Sequence, residues 1–334
     1  VEWLVGAAGA ALLGVLTNAL YDLVKYGTVR APAVLRRADL PPEARRYDPA
    51  SHGLCALVTW SRARRLAPSL VDISYQGRVV RNHLFDVPAW HRQVAANRAR
   101  GDAGRTAYLT GLSVDHGEHD AAHRFSVSVA ESDYAEYLAT AQLHASDPEL
   151  RDRLDELSSG PVDEFLASVP PTSLTASVAV VSRNGTFLLL RRSRSVRQFP
   201  QQWTVGINET MKYNDEPGAQ ETLHSLALRG LREEIGLEPA DVSSHVVSWL
   251  GWSKQSSSFV TVHLVRARLT EAEIEERIGQ CHSVYEHDAV AWWPLNRSKA
   301  ATVITGGHSP DDHNAWIYLA PLLARELWRC RGEL

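Results

Sequence analysis

Residues 221–237 read ETLHSLALRGLREEIGL. Leu223, Leu226, Ala227 and Leu231 recur at the spacing of one helix face, so the stretch predicts an amphipathic helix over residues 219–236. Gly236 stops it and Pro239 follows. The polar side carries Glu221, Arg229, Glu233 and Glu234, with Arg229 and Glu233 four apart and able to pair. Upstream, LTASVAVVS (174–182) and TFLLLR (186–191) flank Asn184-Gly185, a strong short-range hairpin signal. An arginine-rich loop follows (Arg191, Arg192, Arg194, Arg197), then WTVGIN (203–208) as one strand. Downstream come an alternating strand over 259–267, a short helix over 270–279 and Glu286-His287-Asp288 ahead of a strand AVAWWPL. A last helix over 314–331 packs Trp316, Leu319, Leu322, Leu323 and Leu327. Residues 174–334 therefore read as an α+β domain of strands and helices.

Glu221, seven residues, then RGLREEIGL (229–237) resembles the Nudix box: glycine, five residues, glutamate, seven residues, Arg-Glu, an aliphatic, any residue, Glu-Glu, any residue, glycine, an aliphatic. Glu221, Arg229, Leu231, Glu233, Glu234, Gly236 and Leu237 match it, and the hairpin, arginine loop and W-x-x-G strand resemble the approach to a Nudix helix. The resemblance covers 174–331, under half the chain, and implies an α/β/α sandwich. It further implies a carboxylate cluster holding Mg²⁺ or Mn²⁺ against a diphosphate, because hard oxygen donors suit those ions and substrate phosphates complete their shell. On this pattern Glu233 and Glu234 are metal ligands, Arg229 orients the carboxylates and Glu221 supports the metal. Arg192, Arg194 and Arg197 suit bidentate phosphate contacts.

Two positions depart from the pattern. The glutamate expected after Arg229 is Gly230, and the box glycine is replaced by Asp215. Residues 209–218 (ETMKYNDEPG) read as an insertion in place of the usual loop, and Glu209 is a candidate for the missing carboxylate, ahead of Asp215 or Glu216. Two functions follow: a Nudix-type hydrolase that cleaves the diphosphate of a nucleoside diphosphate derivative, or a catalytically weak domain that binds a nucleotide or cyclic nucleotide as a sensor. Trp249, Trp252, Trp292 and Trp293 offer stacking faces, although aromatic residues on β runs usually pack in the core.

Residues 3–20 (WLVGAAGAALLGVLTNAL) carry no charge and reach the lower length limit of a membrane span. Residues 1–26 are read as a membrane-anchor helix. Gly6, Ala10, Gly14 and Asn18 share one face, which suits self-association into a homo-oligomer. From Lys25 to Arg105 there are 15 basic and 6 acidic residues, an excess that predicts a single pass with the rest of the chain on the cytoplasmic side. Residues 27–145 read as a mixed α/β region with strands near 54–60, 70–75, 108–114 and 125–129 and a helix capped by Ser132 or Asp133. His116, His119 and His123 fall in a polar stretch between strands, read as a solvated loop. Residues 146–173 form a helical connector ended by Pro170-Pro171. The layout of anchor, middle region and C-terminal domain is similar to membrane-linked Nudix effectors of bacterial cyclic-oligonucleotide defence against phage.

Composition sets the outer bounds. The 334 residues are 44% hydrophobic and 22% charged with net charge -4, which excludes disorder along the chain and a collagen or coiled-coil architecture. Cys55, Cys281 and Cys330 stand too far apart for a disulfide framework or a paired-cysteine zinc site. The charge balance offers no basis for duplex nucleic acid as a partner.

Overall fold

The computed structural model describes residues 47–59, 67, 71–79, 83, 86–115, 124–216, 218–281, 284–311, 315–331 and 334. The expected anchor helix, its small-residue face and His116, His119 and His123 lie outside the described residues. Among the described residues, no helix is long and apolar enough to cross a membrane. The elements are, in chain order, β1 (Leu54–Thr59), β2 (Val71–Gln76), α1 (Pro88–Ala99), β3 (Arg105–Asp115), β4 (Arg124–Asp133), α2 (Tyr134–Ser146), α3 (Pro148–Ser159), α4 (Val162–Ser168), β5 (Leu174–Val181), β6 (Thr186–Arg192), β7 (Trp203–Val205), β8 (Ile207–Thr210), α5 (Leu223–Ile235), β9 (Val242–Ser253), β10 (Ser258–Ala267), α6 (Glu271–Ile278), β11 (His287–Pro294), α7 (Arg297–Ile304) and α8 (Ala320–Cys330).

The large sheet is mixed and runs β1-β9-β10-β5-β6-β11, with β7 on β6 and β8 on β5. β10 and β5 are parallel, while β9 is antiparallel to both β1 and β10. Its central strands are buried on both faces and alternate between two cores. Ala176, Val178 and Val180 of β5 and Leu188 and Leu190 of β6 face the core that α5 covers with Leu223, Leu226, Ala227, Leu231 and Ile235. Ala179, Val181, Phe187 and Leu189 face the other, covered by Leu322, Leu323 and Leu327 of α8. This is why the strands read as continuous apolar runs. The molecule is thus α+β, with helices on both faces of a mixed sheet.

The expected hairpin forms with Gly185 at φ +83°, but the register joins β5 to β6 only at Val181 and Phe187. Beyond that point β8 pairs with β5 and β7 with β6. The single strand expected over 203–208 is therefore two strands with different neighbours. Gly206 divides them: φ is +78°, and a Cβ there would lie 1.9 Å from the Val178 carbonyl oxygen, so only glycine permits the crossing. The last helix begins at Ala320 rather than near 314, with proline in its first turn.

The second sheet, β2-β4-β3, is tied to the first by more than the chain. Ala107 N–H donates to the Met211 carbonyl and Tyr213 N–H to that of Arg105 (3.1 and 3.3 Å). The side chain of Arg105 binds both carboxylate oxygens of Asp215 at 3.1 Å. Leu54–Thr59, assigned from sequence to the middle region, is the edge strand of the large sheet, paired to β9. Asp133 caps α2 in a reciprocal box with Glu136, as the sequence predicts for this helix start.

A line of imidazoles joins α5 to the sheet. The Thr261 hydroxyl donates to the Thr175 carbonyl (3.0 Å), so His263 Nε2 must donate to Thr261 (2.8 Å). His263 Nδ1 then accepts from His245 Nε2, and His245 Nδ1 accepts from His224 Nδ1, both at 2.9 Å. Burial holds His263 down to about 3, and burial with its histidine neighbours holds His245 well below the usual imidazole range. The unfolded chain takes up protons below about pH 6.5 while these two side chains in the fold do not. Stability is therefore complete above pH 6.5 and falls by about 1.4 kcal/mol per pH unit for each histidine as pH drops towards the folded values. Urea unfolding between pH 7.5 and 5 measures this, and His263→Gln is expected to flatten the slope.

Candidate active site

Helix α5 starts one residue after Thr222, whose side chain and that of Ser225 cap each other's backbone N–H groups. Gly236, at φ +69°, closes its other end. Glu221, expected on the helix, lies before its cap. It still reaches the same arginine. Arg229 Nε donates to Glu221 Oε1 at 2.5 Å and Nη2 to Glu221 Oε2 at 3.1 Å. Nη2 also donates to the Thr210 carbonyl at 2.7 Å. Nη1 reaches Glu209 at 3.0 Å and Glu233 at 3.3 Å. One guanidinium, 11% exposed, thus serves three carboxylates. Tyr75 of β2 donates to the Glu221 carbonyl (2.6 Å) and Lys212 N–H to its carboxylate (2.8 Å), so the loop is fixed from both sides.

Gly230 faces β8. A Cβ at this position would lie 2.7 Å from Glu209 Cβ and 2.9 Å from Ile207 Cδ1. The volume that a side chain at 230 requires is already filled by Glu209, two residues along β8 from Ile207 and on the same strand face. The helix lies against the strand at a separation that only glycine allows, which offsets the cost of about 1 kcal/mol for glycine inside a helix.

Glu209 also borders a cavity of about 250 Å³ whose lining includes Arg192, Glu234, Glu286, Asn208 and Thr210 together with Tyr134, Tyr137, Phe199 and Tyr318. Glu234 and His287 are buried and joined, Nε2 to Oε2, at 2.8 Å. One donor atom each of Glu234, Glu286 and His287 lies within 4.8 Å of the others. Burial, then the charge of Glu209, pushes the Glu234 carboxyl well up. Burial and the charge of Glu234 raise Glu286, and burial raises Glu209 against the pull of Arg229. Burial and Arg192 hold His287 down at about 4. The cavity lining thus sets three carboxyl groups against one cation, Arg192, in a desolvated space. Among the described residues the non-glycine positions with left-handed backbone are Phe199 (φ 51°), Gln201 (φ 63°) and Ser257 (φ 50°). Phe199 lines this cavity and Ser257 sits between two lining serines, so the strain collects around it.

The expected site residues are distributed unevenly. Glu209, Glu234 and Arg192 line the cavity. Glu233 lines a separate open cavity with Arg232 and Arg277, held by Arg229 and by Lys212 at 3.7 Å. Arg194 binds the side chain of Gln201 at 3.2 Å, and Arg197 pairs with Asp102. Asp215, at the box-glycine position, is spent on Arg105. Trp249 and Trp252 are core residues, and Trp293 meets Phe187 and Trp316 edge to face. The aromatic wall comes instead from Tyr134 and Tyr137 of α2, with Phe199 and Tyr318. No sequence spacing links α2 to the helix, so nothing in the chain order announces it. Glu286-His287 did carry a signal, a titratable cluster at a strand start.

No protein-family model matches the chain, and no curated protein matches its sequence. Solved structures are similar to it in part. A MutT protein from Methanosarcina mazei is 19% identical with a TM-score of 0.31, covering 48% of this chain and 96% of its own. An Ap4A hydrolase from C. elegans, as a binary complex, is 17% identical with a TM-score of 0.30, covering 48% and 99%. The NUDIX domain of Shewanella oneidensis NrtR, complexed with ADP ribose, is 16% identical with a TM-score of 0.27, covering 47% and 86%.

Arg229→Met strands Glu209, Glu221 and Glu233 with no shared cation and is expected to cost about 3–5 kcal/mol in urea unfolding. Protonation of Glu209, which burial favours, is expected to recover part of the loss relative to the unsubstituted chain as pH falls.

Proposed function

We propose that the chain is a Nudix-type hydrolase that cleaves the diphosphate of a nucleoside diphosphate derivative with a divalent cation. The observation that carries this reading is the complementarity of Gly230 and Glu209: a carboxylate lost from the helix is regained from the adjoining strand in the same space. Glu234, Glu209 and Glu286 are the groups that would hold Mg²⁺ or Mn²⁺, and the donor set fits, since one buried and two partly buried carboxyl groups share the cavity lining with one arginine. Bound there, such an ion neutralises developing phosphate charge and activates water.

The chain's own groups do the rest. Arg229 keeps Glu209 aligned through Nη1 and holds Glu221 and Glu233 at the outer edge of the same cluster. Arg192 presents its guanidinium to the cavity, with Nε held by the Gln198 carbonyl at 3.0 Å, and suits a phosphate oxygen. Tyr134, Tyr137, Phe199 and Tyr318 form an apolar wall where a ring or similar group packs away from water. The middle region thereby contributes to substrate choice.

Gly230 also supports a second reading, in which the domain binds a nucleotide or cyclic nucleotide as a sensor without turnover. The membrane remains part of the proposal: an uncharged stretch at 3–20, followed by a basic segment, suits a single-pass anchor that keeps the domain in the cytoplasm and pairs copies of the chain. Full-length protein recovered wholly in the soluble fraction after lysis would remove the anchor.

Incubation of the full chain with Mn²⁺ or Mg²⁺ and a panel of nucleoside diphosphate derivatives and cyclic dinucleotides separates the two readings. Turnover that falls by at least about 100-fold in Glu234→Gln, in the range seen when a key electrostatic group is removed, supports hydrolysis. Binding with no turnover in the unsubstituted chain supports sensing. Gly230→Glu is expected to lower activity and stability, because its Cβ meets Glu209. Exchange of the two residues, Glu209→Gly with Gly230→Glu, is expected to recover activity; a gain from Gly230→Glu alone would show that Glu209 does not fill the role.

A further inference from the structure

We propose that His287 is itself a metal ligand, and that a mixed nitrogen–oxygen centre built on Glu234, Glu286 and His287 at the border of the cavity prefers a first-row transition ion over Mg²⁺. The proposal rests on the preceding reading for the place of the ion but not for turnover.

Strand pairing accounts for the position of the imidazole. His287 is the first residue of β11 and stands opposite Arg192 on β6, so the two side chains share a sheet face, and Arg192 of that face lines the cavity. The register slips between His287 and Ala289, and a bulge of this kind re-aims a side chain at the end of a strand. The bulge puts His287 beside Glu234 of α5, an element 53 positions earlier in the chain.

Three features of the group point to an ion. Its carboxylate and imidazole donor atoms lie within 4.8 Å of one another. The side chains of Glu234 and His287 are each only 3% exposed, so water does not satisfy them. His287 Nε2 is engaged by Glu234, while Nδ1 is buried without a hydrogen-bond partner. No hydrogen bond at Nδ1 therefore fixes the tautomer of the ring. With the ring proton on Nδ1, Nε2 is a lone-pair donor facing Glu234, and an ion held by Glu234, Glu286 and Nε2 would take the place of the hydrogen bond between them. Nitrogen from imidazole suits ions such as Zn²⁺, Fe²⁺ and Ni²⁺, and affinity for such sites rises from Mn²⁺ along the series, whereas Mg²⁺ keeps to oxygen.

Mn²⁺ is the probe, because its electron spin reports coordinated nitrogen directly. Pulsed electron paramagnetic resonance of the full chain with one equivalent of Mn²⁺ is expected to show ¹⁴N modulation, replaced by the ¹⁵N pattern when the protein carries ¹⁵N-histidine. That labelling needs no substitution and holds even if a variant fails to fold. His287→Gln is expected to abolish the modulation and weaken Mn²⁺ binding at least about 10-fold in titration, the lower end of the loss seen even for groups that only orient a ligand. Mg²⁺ is expected to displace Mn²⁺ only in large excess. The proposal is overturned by Mn²⁺ that binds without nitrogen modulation, by modulation that survives His287→Gln, by equal competition from Mg²⁺, or by no Mn²⁺ binding. Turnover without nitrogen modulation would discard this centre and leave the hydrolase reading standing. Modulation without turnover on any substrate would do the reverse.

Discussion

The guanidinium of Arg229 is the interaction on which the site depends. It takes Glu221 from the loop before the helix, Glu209 from β8, Glu233 from its own helix and the Thr210 carbonyl, all within 3.3 Å. A largely buried cation can gather three carboxylates only if its planar fork addresses them from different edges, and arginine does this where lysine cannot. With the acids gathered, α5 can press against β8. That close approach is what makes Gly230 and Glu209 fit.

Around this pair the molecule separates two kinds of acidity. Glu221 and Glu233 sit at the outer edge, neutralised by Arg229 and near Lys212. Glu234 and Glu286 sit inward with His287, where burial drives the carboxyl groups up and the imidazole down. In a low-dielectric space, proton and charge cost are settled by neutral forms until a cation is present. The adjacent glutamates of the helix, equivalent in the sequence pattern, thus have unequal surroundings: one turn position faces solvent and the other faces the cavity.

The second sheet earns its place through contacts that the chain order hides. Arg105 binds Asp215, Tyr75 holds the Glu221 carbonyl, and the first residues of α2 bring Tyr134 and Tyr137 into the cavity wall. Asp215 thereby ties its loop to the neighbouring sheet through an ion pair.

Local chemistry determined much of this from sequence alone. The amphipathic period, Gly236 and the Asn184-Gly185 turn place α5 and the hairpin, because caps and turns are made by residues near one another in the chain. Glu221, Arg229, Glu233 and Glu234 could be named because their spacing recurs in a known pattern. Tertiary structure alone decided the split of 203–208 at Gly206, where the Val178 carbonyl approaches, and the inward turn of Glu234 but not Glu233. It also decided the union of His287 and the two tyrosines with that site. These outcomes depend on long-range packing, in which strand register and helix distance set which side chains meet, and no periodicity in a single segment records that.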